Sequence, residues 1–167
     1  GAYAISIHLL FPISSKYNCW RELAGAFFCV EGDTQAVEVF VPLLRGLGLQ
    51  VQTISPESKA QYHLSCALAS NFVCALVQRS AELLSGCGFS ETDALHALAP
   101  LMRSNLAHVI EHGAVSALTG PIERGDTQTV QKHLSCLTER DDRQLYALLG
   151  LEQVKMAQEK HPEQDYG

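Results

Sequence analysis

Residues 26–54 constrain this chain most, because they read as strand, helix, strand. Stretches 26–31 and 49–54 are rich in Val, Phe and Ile, the composition of strands. Between them the sequence predicts a helix over 34–47, capped by Gly32-Asp33 and stopped by Gly46-Leu47-Gly48, with Pro42 expected to kink or shorten it. A crossover of this kind joins parallel strands. A third β-type run, 4–11, precedes it. A parallel sheet of two or three strands has too little cover to be complete, so the sheet is expected to begin before Gly1.

From Pro56 onward the pattern turns helical. One long helix is expected over 58–84, with Leu64, Leu68, Phe72, Leu76 and Leu83 on its apolar face. After Gly86-Cys87-Gly88, the run Ser90-Glu-Thr-Asp93 resembles a capping box and opens a helix that Pro100 should bend and Gly113 should close. A loop over 117–125 follows. Asp126 is expected to cap a short helix reaching about residue 137, a last helix spans about 141–158, and the polar tail from His161 should fray. The tetrapeptide Gly-Asp-Thr-Gln occurs at 32–35 and again at 125–128, both times where a helix starts, which capping chemistry explains better than a repeat. The fold class is thus mainly α with a small α/β remnant, divided into an incomplete sheet (1–55) and a helical domain (56–167).

The net charge of −6 offers no basic footprint for a phosphate backbone, so nucleic acid is not an expected partner. No uninterrupted apolar run approaches the ~20 residues a membrane span needs, and no membrane partner is expected. The six cysteines form no C-x-x-C pair, and several sit among apolar residues, so they read as buried, reduced thiols of a cytoplasmic protein.

Three clusters could carry chemistry. Lys59, His63 and Ser70 share a helical face, with Asn71 at its border. A cation, an imidazole, a hydroxyl and an amide in one stripe can polarise a carbonyl and move a proton; the competing reading is a hydrated helix surface. In the second, Gly120 and Pro121 shape a turn after Thr119, while Arg124 can grip a carboxylate or phosphate ahead of the helix that Asp126 opens. There the alternative is an ordinary turn in which Arg124 pairs with Asp126. Third, His108-Val-Ile-Glu111-His112 matches a zinc-hydrolase pattern, but no later carboxylate has the context of a third ligand. No metal site is therefore expected. No G-x-G-x-x-G or P-loop occurs either, so a pyrophosphate-binding turn is missing from the chain.

The segments Lys59-Ala-Gln-Tyr-His-Leu-Ser-Cys-Ala-Leu-Ala-Ser-Asn71 and Ala117-Leu-Thr-Gly-Pro-Ile-Glu-Arg-Gly-Asp126, with His133-Leu134, resemble a family of oxidoreductases. Its members join an amino-terminal Rossmann domain to a carboxy-terminal domain of unknown function. Its relatives include pyrroline-5-carboxylate reductase, ketopantoate reductase and 6-phosphogluconate dehydrogenase, and the resemblance covers about residues 8–155. It implies a helical domain like the carboxy-terminal part of 6-phosphogluconate dehydrogenase, which pairs with a second copy and closes over a nicotinamide ring.

By that resemblance the chain is the substrate-binding and dimerisation part of an NAD(P)-dependent oxidoreductase acting on a small carbonyl, imine or hydroxy acid. Lys59, His63 and Asn71 would be catalytic, with Ser70, Thr119, Gly120, Pro121, Arg124 and Asp126 binding substrate. NADP or NAD would be held mainly by a preceding half absent from this chain, with Pro12 and Ser14 contributing. The family tends to place a His-Pro and then a serine near that point. Here Phe11-Pro12-Ile13-Ser14 stands there with His8 three residues early, which puts a catalytic role for His8 in doubt. The chain alone is expected to be inactive. The alternative reading is a non-catalytic helical module that dimerises or binds a ligand.

Overall fold

The computed structural model describes residues 1–13, 23 and 25–166. Two units divide them, Gly1–Ser80 and Ala81–Gly167.

In the first unit, β1 (Ile5–Leu9), β2 (Phe27–Gly32) and β3 (Gln50–Thr53) form a sheet in that order. The helix α1 (Thr34–Gly46) links β2 to β3, which run parallel as the crossover requires. Pro42 lies inside α1 without cutting it short. β1 instead pairs antiparallel with β2, so the sheet is mixed and not wholly parallel. Strand composition predicts that a segment will pair, but not in which direction.

The apolar core of this unit is Val30, Val41 and Val51, with Ile5, Phe28, Val37, Leu44 and Leu49 packed against it. Period-two alternation sends Val30 and Phe28 of β2 toward α1. Val30 is wholly buried, and removing a valine side chain from water contributes roughly 1.5–3 kcal/mol.

Asp33 does not cap α1 with its side chain, contrary to the sequence reading. Its carboxylate accepts a hydrogen bond from the Ala4 amide at 2.7 Å, and its own amide donates to the Ala4 carbonyl at 2.9 Å. These bonds pull the start of β1 across the β2–α1 turn. Gly32, at φ +147°, makes this approach possible, because a Cβ there would run into the Ala4 carbonyl.

After a single 3-10 turn at Pro56–Ser58, α2 (Lys59–Ala69) and α3 (Asn71–Ser85) replace the single long helix expected. Ser70 breaks the run at φ −125°, ψ −73°. By length and composition Pro56–Ser85 is apolar enough to cross a membrane, a test that the expectation above did not anticipate and that core helices also pass. Leu64, Leu68 and Phe72 are each more than half exposed.

The second unit contains α4 (Glu91–His112), α5 (Ala114–Ala117), α6 (Thr127–Cys136) and α7 (Arg140–Lys160). Ser90 caps α4 by accepting from the Asp93 amide at 3.1 Å, as its sequence predicts. Asp126 caps α6 through the Thr129 amide at 3.0 Å and also accepts from the Thr129 hydroxyl at 2.7 Å. The short α5 lies between the expected helix end at Gly113 and the loop expected from residue 117, a stretch to which the sequence reading assigned no element. Ala94, Ala117 and Ala157 are buried in this unit, small residues that let helices approach closely.

The tail is not frayed. His161 meets the Glu123 carboxylate at 2.8 Å, and the Tyr166 hydroxyl donates to the Glu123 carbonyl at 2.7 Å. Burial of the cysteines is also narrower than expected. Cys29 is buried, Cys66 is half-buried, Cys74, Cys87 and Cys136 are exposed, and Cys19 lies outside the described residues.

Candidate active-site cleft

The register between β1 and β2 sets Ser6 opposite Glu31 and His8 opposite Cys29. Alternation places these four side chains on the face of the sheet away from the Val30 core. Helix α2 lies over that polar face.

His8 Nδ1 and the Tyr62 hydroxyl are 2.5 Å apart, with their rings edge to face at 5.5 Å. Lys59 Nζ lies 2.5 Å from Glu31 Oε1 and 3.4 Å from Ser6 Oγ. Burial, followed by the Cys66 thiol beside it, raises the Tyr62 pKa, so this phenol stays protonated. Burial likewise raises Cys29, keeping it a thiol. The hydrogen bond from Lys59 lowers Glu31, which remains a carboxylate.

A cavity of about 580 Å³ opens here, lined by Ser6, His8, Glu31, Lys59, Tyr62 and His63 among others. A second, of about 410 Å³, is lined by His8, Pro12, His63, Cys66, Ser70 and Asn71. His8 and His63 line both. These two shared imidazoles mark the candidate cleft under α2, and a pair of imidazoles is suited to passing a proton to or from a bound molecule.

Lys59 lines the first cavity, Pro12, Ser70 and Asn71 line the second, and His63 lines both, although Ser70 and Asn71 stand at a helix break and not on a continuous stripe. Ser14 lies outside the described residues. Lys59 is tied to Glu31, so its charge is already met. The sequence reading missed Ser6 and Glu31, included Tyr62 in the Lys59-x-x-Tyr62-His63 cluster without assigning it a role, and doubted His8. The signal available was the alternation Ile5-Ser6-Ile7-His8-Leu9, which marks two polar side chains on one face of an otherwise apolar strand.

Thr119, Gly120, Pro121, Arg124 and Asp126 belong to the second unit. Gly120 sits at φ +114°, which explains the glycine. Arg124 is exposed and, among the described residues, its side chain makes no hydrogen bond or ion pair. Thr129 holds the Asp126 carboxyl below its ordinary range, with the charges of Arg124 and Lys132 adding to the effect. The rings of His108 and His112 are 4.5 Å apart. Among the described residues, no three His, Cys, Asp or Glu are grouped to hold a metal.

A dinucleotide's pyrophosphate needs an open glycine turn and free amides at a helix start. The β2–α1 turn does not fit it: Ala4 fills the space beside Gly32, and the Asp33 carboxylate sets a negative charge at the start of α1.

The fold has counterparts among solved structures. Protein TM1727 from Thermotoga maritima superposes with a TM-score of 0.75 at 24% identity, over 94% of this chain and 62% of that one. BF3122 from Bacteroides fragilis, described as a "putative NADP oxidoreductase", gives 0.63 at 23% identity, over 78% of this chain and 49% of its own. The chain therefore spans about half to two thirds of the length of these two proteins. No curated protein matches it. Residues 26–153 match the sequence profile of the domain of unknown function DUF2520, and the chain belongs to that family.

Proposed function

We propose that this chain is the substrate side of an NAD(P)-dependent oxidoreductase related to 6-phosphogluconate dehydrogenase, and that a small carbonyl, imine or hydroxy-acid substrate occupies the cleft under α2. The observation that carries this reading is the polar face of the sheet. His8, Tyr62, His63 and the Lys59–Glu31 pair converge there, backed by an apolar face that makes them rigid. The description of the Bacteroides protein as a "putative NADP oxidoreductase" agrees with it.

In this reading His63 holds or releases the proton, and Tyr62 donates a hydrogen bond while His8 fixes its orientation. Ser70 and Asn71 orient the substrate, and Lys59 supports the cleft through Glu31. The dinucleotide, NADP or NAD, is held mainly by residues outside this chain, since the β2–α1 turn does not fit it. The Thr119–Pro121 turn and Arg124 of the second unit offer a grip for a carboxylate or phosphate. The exposed leucines and Phe72 along α2 and α3 favour a second copy as partner, and the protein works in the cytoplasm.

The test uses the natural protein that carries this chain. NADPH fluorescence titration should show saturable binding, and His63→Ala should lower kcat by about 10²–10⁴-fold without weakening NADPH binding. A natural protein that binds neither NADPH nor NADH would overturn the proposal and leave a non-catalytic ligand-binding or dimerisation module.

A further inference from the structure

A third cavity lies wholly within the second unit, about 370 Å³ in volume, bounded by the Pro121 turn, α6 and α7. Its aliphatic wall consists of Ile122, Val130, Leu134, Leu151 and Val154. Its aromatic wall is Tyr146 and Tyr166, whose hydroxyls are already engaged, with His133 Nδ1 at 2.9 Å and with the Glu123 carbonyl at 2.7 Å. With both hydroxyls satisfied, the rings present mainly apolar surface to a guest.

Gly150 also lines this cavity, near the middle of the helix Arg140–Lys160. A glycine inside a helix costs about 1 kcal/mol against alanine. Packing does not demand it: a Cβ at Gly150 would find only Ile122 Cδ1, at 3.4 Å. The effect of the glycine is to leave the cavity open. The tail fixes the opposite wall, because Lys160 Nζ donates to the Leu118 carbonyl at 2.7 Å and His161 and Tyr166 bind Glu123.

Polar character is confined to Asp126, Thr127 and Gln131. Asp126 stays ionised while capping α6 and would repel an anion. Its neighbour Gln131 carries an amide oxygen that can accept a hydrogen bond.

We propose that this cavity is a binding site for a small uncharged compound of one or two flat rings carrying a hydrogen-bond donor. A cavity of this size, mostly apolar with a few convergent polar groups, is what small-molecule sites share. The inference does not rest on the oxidoreductase reading, although the Pro121 turn borders this cavity and is also the turn read there as an anion grip.

Indole is the probe, being neutral, two-ringed and equipped with one N–H. In methyl NMR spectra of the full chain, indole should shift Ile122, Val130 and Leu151 saturably, with Kd below about 1 mM. Gly150→Leu fills the cavity and should weaken binding about tenfold or more, while circular dichroism and melting remain native. Should Gly150→Leu fail to fold, Val130→Phe fills the same space from α6. Benzoate should not compete. No saturable shift in the wild type, shifts that survive both variants, or benzoate binding as tight as indole would each overturn the proposal.

Discussion

The two faces of the small sheet in the first unit are built from the same strands and do opposite things. Toward α1, Val30, Phe28 and Ile5 pack with Val41 and Val51 into a dry core. Toward α2, Ser6, His8, Cys29 and Glu31 meet Lys59 and Tyr62 around open space. One residue of phase along a strand separates the two roles. A sheet of this kind can carry reactive groups because its other face supplies the stability.

The comparison breaks most visibly at its apolar side. Val30→Asp puts an unpartnered charge in the core and should destabilise the first unit by about 4 kcal/mol or more, erasing its strand signal in circular dichroism. An unchanged spectrum and melting curve would mean that this face is not the support described. On the polar side, His8→Ala in the natural protein should cut turnover about tenfold or more and leave Tm within a few degrees, since His8 is solvent-exposed. Calorimetry beside kinetics separates these outcomes.

A smaller effect sharpens the polar side through pH. Glu31 is lowered by Lys59, so the stability it contributes is present above the ordinary glutamate range near pH 4.3 and is lost as pH falls through its lower folded value. The melting difference between the wild type and Glu31→Gln should be present at pH 7 and shrink below pH 4. A difference that grows on acidification would contradict the ion pair.

The smallest contrast is between the two Gly-Asp-Thr-Gln copies. Asp126→Ala removes a cap and should speed amide exchange at Thr129 several-fold. Asp33→Ala should instead loosen the amide of Ala4, which its carboxylate holds. Exchange changing at the start of α1 alone would show that Asp33 is an ordinary cap.

These copies also mark how far the sequence could be read. The starts of α1, α4 and α6, the crossover and the parallel β2–β3 pair follow from local composition and were legible. The polar partner of Asp33 was not, because it lies 29 residues away on the approach to β1. The break at Ser70 involves neither proline nor glycine and leaves no local mark. In the cleft, Lys59, His63, Ser70 and Asn71 could be grouped because they are neighbours along the chain. His8 meets Tyr62 across 54 residues, and Glu31 meets Lys59 across 28, pairings fixed only when α2 packs over the sheet. The tail was misread for the same reason, since its anchor is Glu123, 38 residues before His161.

The most direct test of the account is Tyr62→Phe in the natural protein, with NADPH-dependent turnover and Tm measured on the same sample. The variant removes one hydroxyl from the polar face and nothing from the core. The account predicts turnover reduced about tenfold or more with Tm changed by no more than a few degrees. A large fall in Tm with turnover per folded molecule unchanged would place Tyr62 among the supports of the fold and contradict the division of labour between the two faces.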